Sequence, residues 1–157
     1  MRALGVLIAA AVLAGGFTPA PHADTSRVIR LISTFDHADV VIDREPYSAV
    51  SRGDVIVSFD RLANAAGQFG RARGAHVGHD RGVFRYLSPT RMRIDGWTSL
   101  PGGRMHVRSL VRPLRGGVVE IDVVGGTGAF AGAHGIVTVT PHPTTVRTLL
   151  VYRVRLS

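Results

Sequence analysis

The sequence has 157 residues, no cysteine and no lysine, and a formal net charge of +8 that arginine alone supplies. This length is too short for two ordinary domains, and the lack of cysteine excludes disulfides, thiol nucleophiles and thiolate metal sites. The positive charge would attract anionic partners, but few aromatic residues and no basic run argue against nucleic-acid binding.

Residues 1–23 have the layout of a secretory signal peptide. A basic head containing Arg2 precedes an apolar run at 3–17, and small residues then lead to Ala23. The run is too short to span a bilayer comfortably. We predict cleavage near Ala23 and a secreted or extracytoplasmic protein, with a retained membrane anchor as the alternative. Residues 24–157 are predicted to form a single domain, whose charge falls to +7 because Arg2 is removed.

The remainder of the chain is predicted to consist of strands. Apolar residues do not recur at helical spacing, whereas segments rich in β-branched residues alternate with turns that contain glycine and proline. Eight or nine strands with short connections predict an antiparallel sandwich or a closed barrel, and periodicity does not choose between the two. The predicted strands are 28–42, 54–62, 68–77, 83–87, 90–100, 105–111, 118–124, 136–140 and 146–156.

Glycines cluster in the segment 123–135, which reads VVGGTGAFAGAHG. The segment is not a P-loop, because no lysine follows its last glycine, and its glycine spacing is one residue longer than a dinucleotide fingerprint. The β-branched residues that follow favour a strand over a helix. We predict a tight hairpin between two strands, with Phe130 packed against it.

The segment 118–135, VVEIDVVGGTGAFAGAHG, resembles the motif of dirigent proteins, in which a strand with a Glu runs into V-V-G-G-T-G-x-F and then A-R-G. Residues 52–74, which begin Arg-Gly-Asp, resemble the family's Gly-Asp strand and the turn after it. The same superfamily includes allene oxide cyclase and bacterial relatives, many of them exported. The resemblance covers roughly 28–156. It implies an all-β fold, a closed eight-stranded antiparallel barrel of lipocalin-related shape with an apolar cavity at one end, and a homotrimer.

The resemblance also implies a role without a cofactor. Such a barrel binds a small apolar or aromatic molecule and guides its cyclisation, isomerisation or stereoselective coupling, largely by holding it in one conformation. An enzyme of this kind would be a cyclase or isomerase. The alternative is a non-catalytic secreted barrel that binds a ligand or contacts the anionic cell envelope through its arginines.

Five residues are candidates for the catalytic site. His134 stands where the family motif has its arginine, and it is either a proton donor or a structural residue of the hairpin. Glu120 and Asp122 share one face of a strand, as an acid and base inside the barrel or as solvent-facing partners of arginines. If they point inward, Arg108 on the neighbouring strand becomes a partner. Asp36 interrupts the first apolar strand.

His76 and His79 form an H-x-x-H pair, which raises the question of a metal. On a strand, a spacing of three residues sends the two rings to opposite faces of the sheet. We therefore predict no metal site here.

Overall fold

The computed structural model describes residues 25–112 and 117–157. The predicted signal segment, 1–23, lies outside the described residues, as does most of the turn predicted after the strand at 105–111. No helix within the described ranges is long and apolar enough to cross a membrane.

Eight antiparallel strands form a closed barrel in which each strand pairs with its neighbours in sequence. Closure comes from the first and last strands, which pair from Thr25↔Leu156 to Thr34↔Arg147. This architecture confirms the predicted all-β barrel. The strands are β1 (Thr25–Ile42), β2 (Val55–Asn64), β3 (His76–Ser88), β4 (Arg91–Leu100), β5 (Gly103–Val111), β6 (Val119–Gly128), β7 (His134–Pro141) and β8 (Arg147–Leu156).

The connections divide the barrel into a closed end and a mouth. The closed end holds the start of β1, the end of β8 and the turns that follow β2, β4 and β6. Its interior is filled by side chains with no exposed surface, among them Leu31, Leu62, Met105 and Phe130. The mouth holds the connections that follow β1, β3, β5 and β7. Packing is therefore concentrated in one half of the barrel.

The glycine-rich segment forms the predicted hairpin, but the turn is shorter than the sequence indicates. Strand β6 continues through the glycines to Gly128, so the turn is confined to 129–133. Gly128 has a φ of 60°, and a Cβ there would collide with the carbonyl oxygen of Gly102 in the neighbouring turn. Phe130 is fully buried in the core, which confirms that it packs under the hairpin.

The predicted strand at 68–77 is wrong for most of its length. Only one isolated bridge, Gln68↔Arg71, forms there, and Phe69 has a φ of 55° that interrupts an extended chain. The buried Asn64 amide donates to the carbonyl oxygens of Gln68 at 2.8 Å and Arg71 at 3.0 Å. This side chain supplies bonds that a ladder would otherwise make. The strand β3 consequently begins only at His76 and absorbs the short strand predicted at 83–87.

The seam between β5 and β6 is paired only in its closed half. The ladder ends at Val107↔Val123, just after a bulge. Nearer the mouth, the Ser109 hydroxyl accepts the Asp122 backbone N–H at 2.9 Å and donates to the Asp122 carboxylate at 2.9 Å. One serine therefore bridges a stretch where backbone bonds are missing.

Replacing Phe130 with alanine should destabilise the barrel by about 3–5 kcal/mol, because it empties a fully buried aromatic site at the closed end. Urea unfolding followed by circular dichroism measures the loss. Val124→Ala is the matched control, since Val124 lies on the preceding strand with half its surface exposed. Equal losses in the two variants would show that Phe130 does not hold the closed end together.

Candidate active site

A cavity of about 220 Å³ occupies the mouth half of the barrel, next to the packed core. Its walls are mainly apolar, and its polar side chains gather where the cavity meets the core. Each of Ser33, Asp60 and Thr98 lies two positions along its strand from a buried leucine of that core. The apolar part of the lining consists of Phe84, Met92, Ile94, Val107, Val119, Ile121, Val137, Val139 and Leu150.

Two carboxyl groups face each other across the β2–β3 ladder. Asp60 is the register partner of Asp80, and both line the cavity. Directly opposed side chains on one face of a sheet have Cβ atoms about 5 Å apart. The Ser33 hydroxyl donates to Oδ2 of Asp60 at 2.8 Å. Oδ1 of each aspartate is buried without a hydrogen-bond partner among the described residues.

The surroundings of Asp80 favour its protonated form. Burial raises the pKa of this carboxyl to about 8, and the negative charge of Asp60 adds to the rise. Asp80 is therefore mostly a neutral carboxylic acid at pH 7. A proton held on a carboxyl beside an apolar cavity is a ready general acid.

A second polar pair completes this end of the cavity. Thr98, the register partner of Asp80 on β4, shares a 2.6 Å hydrogen bond with the hydroxyl of Tyr152 on β8. Burial, with the nearby charge of Asp80, raises the pKa of Tyr152 above its ordinary value. The phenol thus keeps its proton, and the two hydroxyls lie beside the carboxyl pair as fixed dipoles.

Two glycines open space in the wall beside the carboxyls. Gly82 and Gly96 are register partners, each two positions along its strand from Asp80 or Thr98. A Cβ at Gly82 would lie 2.9 Å from the Phe84 ring, and one at Gly96 would lie 2.9 Å from the carbonyl oxygen of Arg81. A side chain at either position would not fit without a shift. The Phe84 ring therefore packs against the bare backbone of Gly82.

Three of the predicted site residues lie on the outer face of the barrel. Glu120 and Asp122 are exposed, while the residues that alternate with them, Val119 and Ile121, line the cavity. Arg108 donates from Nε to the carboxylate of Asp95 at 3.0 Å. The structure brings Arg108 and Asp122 together along one outer groove, but not with the carboxyl pair.

The other two predicted site residues also lie away from the cavity. His134 is exposed at the closed end, where its Nδ1 lies 3.1 Å from the carbonyl oxygen of Gly132. Asp36 is exposed on the outside and contacts His37 at 3.2 Å and Arg61 at 3.5 Å. A catalytic role for any of the five stays a prediction. Among the described residues, no group of three or more potential metal ligands forms.

Sequence reasoning missed both Asp60 and Asp80. The sequence signal for Asp60 was weak, because Leu62 shares its strand face but the apolar residues Val57 and Phe59 share the opposite face. Asp80 carries no such mark, since glycines flank it at two positions on either side. Only the ladder between β2 and β3 places the two acids opposite one another.

Comparison with known proteins shows that other solved structures share this barrel fold. No protein-family model and no curated protein matches the sequence.

Solved structures do match. A pyocyanin demethylase has a TM-score of 0.64 at 20% identity, covering 81% of this chain and 99% of its own. A pterocarpan synthase dirigent protein has a TM-score of 0.66 at 15% identity, covering 84% of each chain. A Diels-Alderase from Streptomyces koyangensis has a TM-score of 0.62 at 17% identity, covering 87% of this chain and 71% of its own. The chain thus shares its barrel fold with a dirigent protein and a Diels-Alderase.

The raised pKa of Asp80 predicts a pH-dependent gain in stability for Asp80→Asn. The carboxyl titrates near 3.8 in an unfolded chain and near 8 in the folded protein. The folded state therefore binds this proton more tightly, and stability falls as the pH rises from about 4 to 8. Relative to the wild type, the variant should gain up to about 1.4 kcal/mol per pH unit across that window.

Urea unfolding at pH 4, 6 and 8 measures this difference. Asp39→Asn, at an exposed position on β1, serves as the matched control and should show no such trend. A difference between Asp80→Asn and wild type that does not change with pH would contradict the assignment of a buried, protonated carboxyl.

Proposed function

We propose that the protein binds a small apolar or aromatic molecule in its cavity and guides the cyclisation, isomerisation or stereoselective coupling of that molecule. The observation that carries this proposal is the carboxyl pair Asp60 and Asp80, half-buried at the inner end of an apolar cavity with one fully buried oxygen each, and with Asp80 protonated at neutral pH. Solved barrels of the same fold include a Diels-Alderase and a pterocarpan synthase dirigent protein, which supports a reaction on a small molecule.

The proposed reaction uses two features of the cavity. The apolar walls restrict the molecule to one conformation, which lowers the entropic part of the barrier. Asp80 donates its proton to a carbonyl oxygen or an alkene carbon, and the Asp60 carboxylate stabilises the positive charge that develops. A new bond forms at the cationic carbon, and loss of a proton from the product cation to Asp80 restores the acid. The cycle needs no oxidant and leaves the atom count unchanged.

Ser33, Thr98 and Tyr152 are positioning residues in this scheme. The Ser33 hydroxyl fixes the rotamer of Asp60 through its 2.8 Å hydrogen bond. The Thr98–Tyr152 pair presents hydroxyl dipoles beside Asp80 without supplying a charge. Export after cleavage near Ala23 and assembly as a homotrimer belong to the same proposal, supported by the signal layout and by the superfamily resemblance respectively.

Asp80→Asn should reduce turnover about 100-fold or more, because removing a general acid typically costs 10²–10⁴-fold. Asp60→Asn should lower turnover as well. Glu120→Gln and His134→Gln are measured in parallel, because they test a site on the outer face. A panel of quinone methides, dienes with dienophiles, and unstable epoxides, read by chiral chromatography, provides the assay. Full activity in Asp80→Asn together with loss in Glu120→Gln or His134→Gln would move the site to the outer face.

A second candidate function is a non-catalytic secreted barrel that binds the cell envelope. The mouth carries a set of exposed apolar side chains, here called the mouth rim: Ile42, Tyr47, Val50, Leu87, Val118 and Val146. Exposed arginines stand beside it at positions 44, 52, 91, 112 and 147, against exposed acids at 43 and 45. Apolar side chains flanked by cations are typical of surfaces that bind anionic lipid interfaces. A barrel seated this way could receive an apolar ligand directly from the lipid.

The mouth rim should bind vesicles of phosphatidylglycerol and phosphatidylcholine but not vesicles of phosphatidylcholine alone. Replacing Tyr47, Leu87 and Val146 together by serine removes apolar area from three separate positions around the mouth, and it should reduce co-sedimentation about tenfold or more. Val28 and Val124, exposed on the barrel wall, provide the matched double-serine control. Binding that is equal for both variants and the wild type would exclude the mouth rim as the contact.

A further inference from the structure

The cavity is acidic, and no cation among the described residues compensates its charge. Two aspartates line it, and no lysine, histidine or inward-pointing arginine does so among the described residues. Arg81 contributes to the wall, but its guanidinium lies 5.8 Å over the ring of Phe59. That ring stacks against His37 at 4.5 Å and belongs to the outer face of β2. The guanidinium is therefore outside the barrel.

The groups that face Asp80 come from each neighbouring element. Asp60 faces it from β2 and Thr98 from β4, while Tyr152 lies beside it from β8. From β1, Ser33 approaches the pair through its bond to Asp60. The titratable groups around Asp80 are thus one carboxyl and one phenol, and neither can carry a positive charge.

Unpaired carboxyl oxygens in an apolar site are costly to the folded protein, and a bound cation relieves that cost. Oδ1 of Asp60 and Oδ1 of Asp80 are both buried and unpartnered. A desolvated carboxylate without a counter-charge is strongly destabilised, whereas a hydrogen-bonded cation between two carboxylates restores the lost interactions. An anionic ligand meets the opposite situation, because like charges at short range in a low dielectric repel strongly.

We propose that the cavity selects small basic amines that carry one aromatic ring and rejects aromatic carboxylates. The amine is bound as a cation between Asp60 and Asp80. The proposal rests on the proposed function, because the ligand nitrogen occupies the place where the reacting molecule would take a proton from Asp80. A ligand that enters as a neutral base takes the proton of Asp80. A ligand that enters as an ammonium ion leaves that proton to solvent. In both cases the bound state is a cation with two carboxylates.

The dimensions of the cavity limit the aromatic part of the ligand. An apolar cavity of about 150 Å³ accommodates benzene, so about 220 Å³ suits one ring with a short substituent. Phe84 lines the same wall as Gly82 and offers an aromatic face to the ligand.

Isothermal titration of the full chain with benzylamine, benzyl alcohol and benzoate tests the proposal. The three probes share one ring and differ in the charge of the polar end. At pH 7, benzylamine should bind at least tenfold more tightly than benzyl alcohol, and benzoate should bind least. Repeating the benzylamine titration in buffers of different ionisation enthalpy should show release of up to one proton per ligand.

Two variants and one control locate the selectivity. Asp60→Asn and Asp80→Asn should lower the affinity for benzylamine to that for benzyl alcohol while keeping benzyl alcohol binding, which also shows that each variant is folded. Asp39→Asn, with its carboxyl on the exposed outer wall, should leave all three affinities unchanged. Benzoate binding as tightly as benzylamine, no benzylamine binding at millimolar concentration, or an amine preference that survives in both cavity variants would overturn the proposal.

The binding result is separable from the proposed reaction. Amine selectivity that depends on both aspartates, combined with no turnover of any panel substrate, would support the ligand class and count against the catalyst. Turnover that depends on Asp80 without amine selectivity would support the catalyst and overturn the ligand class.

Discussion

Closure of the sheet is the constraint on which the rest of the molecule depends. Because β1 pairs with both β2 and β8, every strand has a partner on each side. A closed sheet has no free edge to pair with another chain, and it separates an interior from the surroundings without any disulfide. The interior then has a dielectric environment different from that of the surroundings, and this changes the stability of charged groups inside it. The carboxyl pair and the apolar cavity are consequences of that enclosure.

The two halves of the barrel serve opposite physical purposes. In the closed half, Leu31, Leu62, Met105 and Phe130 fill the space completely and supply stability. In the mouth half, the wall is left unfilled and two acids sit opposite each other, an arrangement that costs folding free energy. Strain and unpaired polar groups of this kind persist where the surrounding structure over-determines them, and they concentrate at functional sites. The stability that the closed half supplies offsets the folding free energy that the carboxyl pair costs in the mouth half.

Fold class was accessible from the sequence because its signals are local. Alternation within segments and the glycine motif do not depend on neighbouring strands, whereas the alternation of Glu120 and Asp122 with apolar residues left open which face of β6 points inward. The site was not accessible, because β2 inverts the usual pattern. Its outward residues Val57 and Phe59 are more apolar than its inward residues Ser58 and Asp60. Val57 is only 6% exposed despite facing outward. Hydrophobicity therefore points to the wrong face, and only the ladder with β3 reveals the acid pair.

The positions of the two chain ends have a practical consequence for handling the protein. Thr25 pairs with Leu156 at the closed end, so both termini of the barrel leave it on the side away from the cavity. A short tether attached at Thr25 or Leu156, such as a purification tag on a sensor chip, would hold the barrel by its closed end and leave the opening on the opposite side. Ligands would then reach the cavity unhindered. A barrel tethered to a lipid surface by its closed end, however, would not bring its mouth to that same surface.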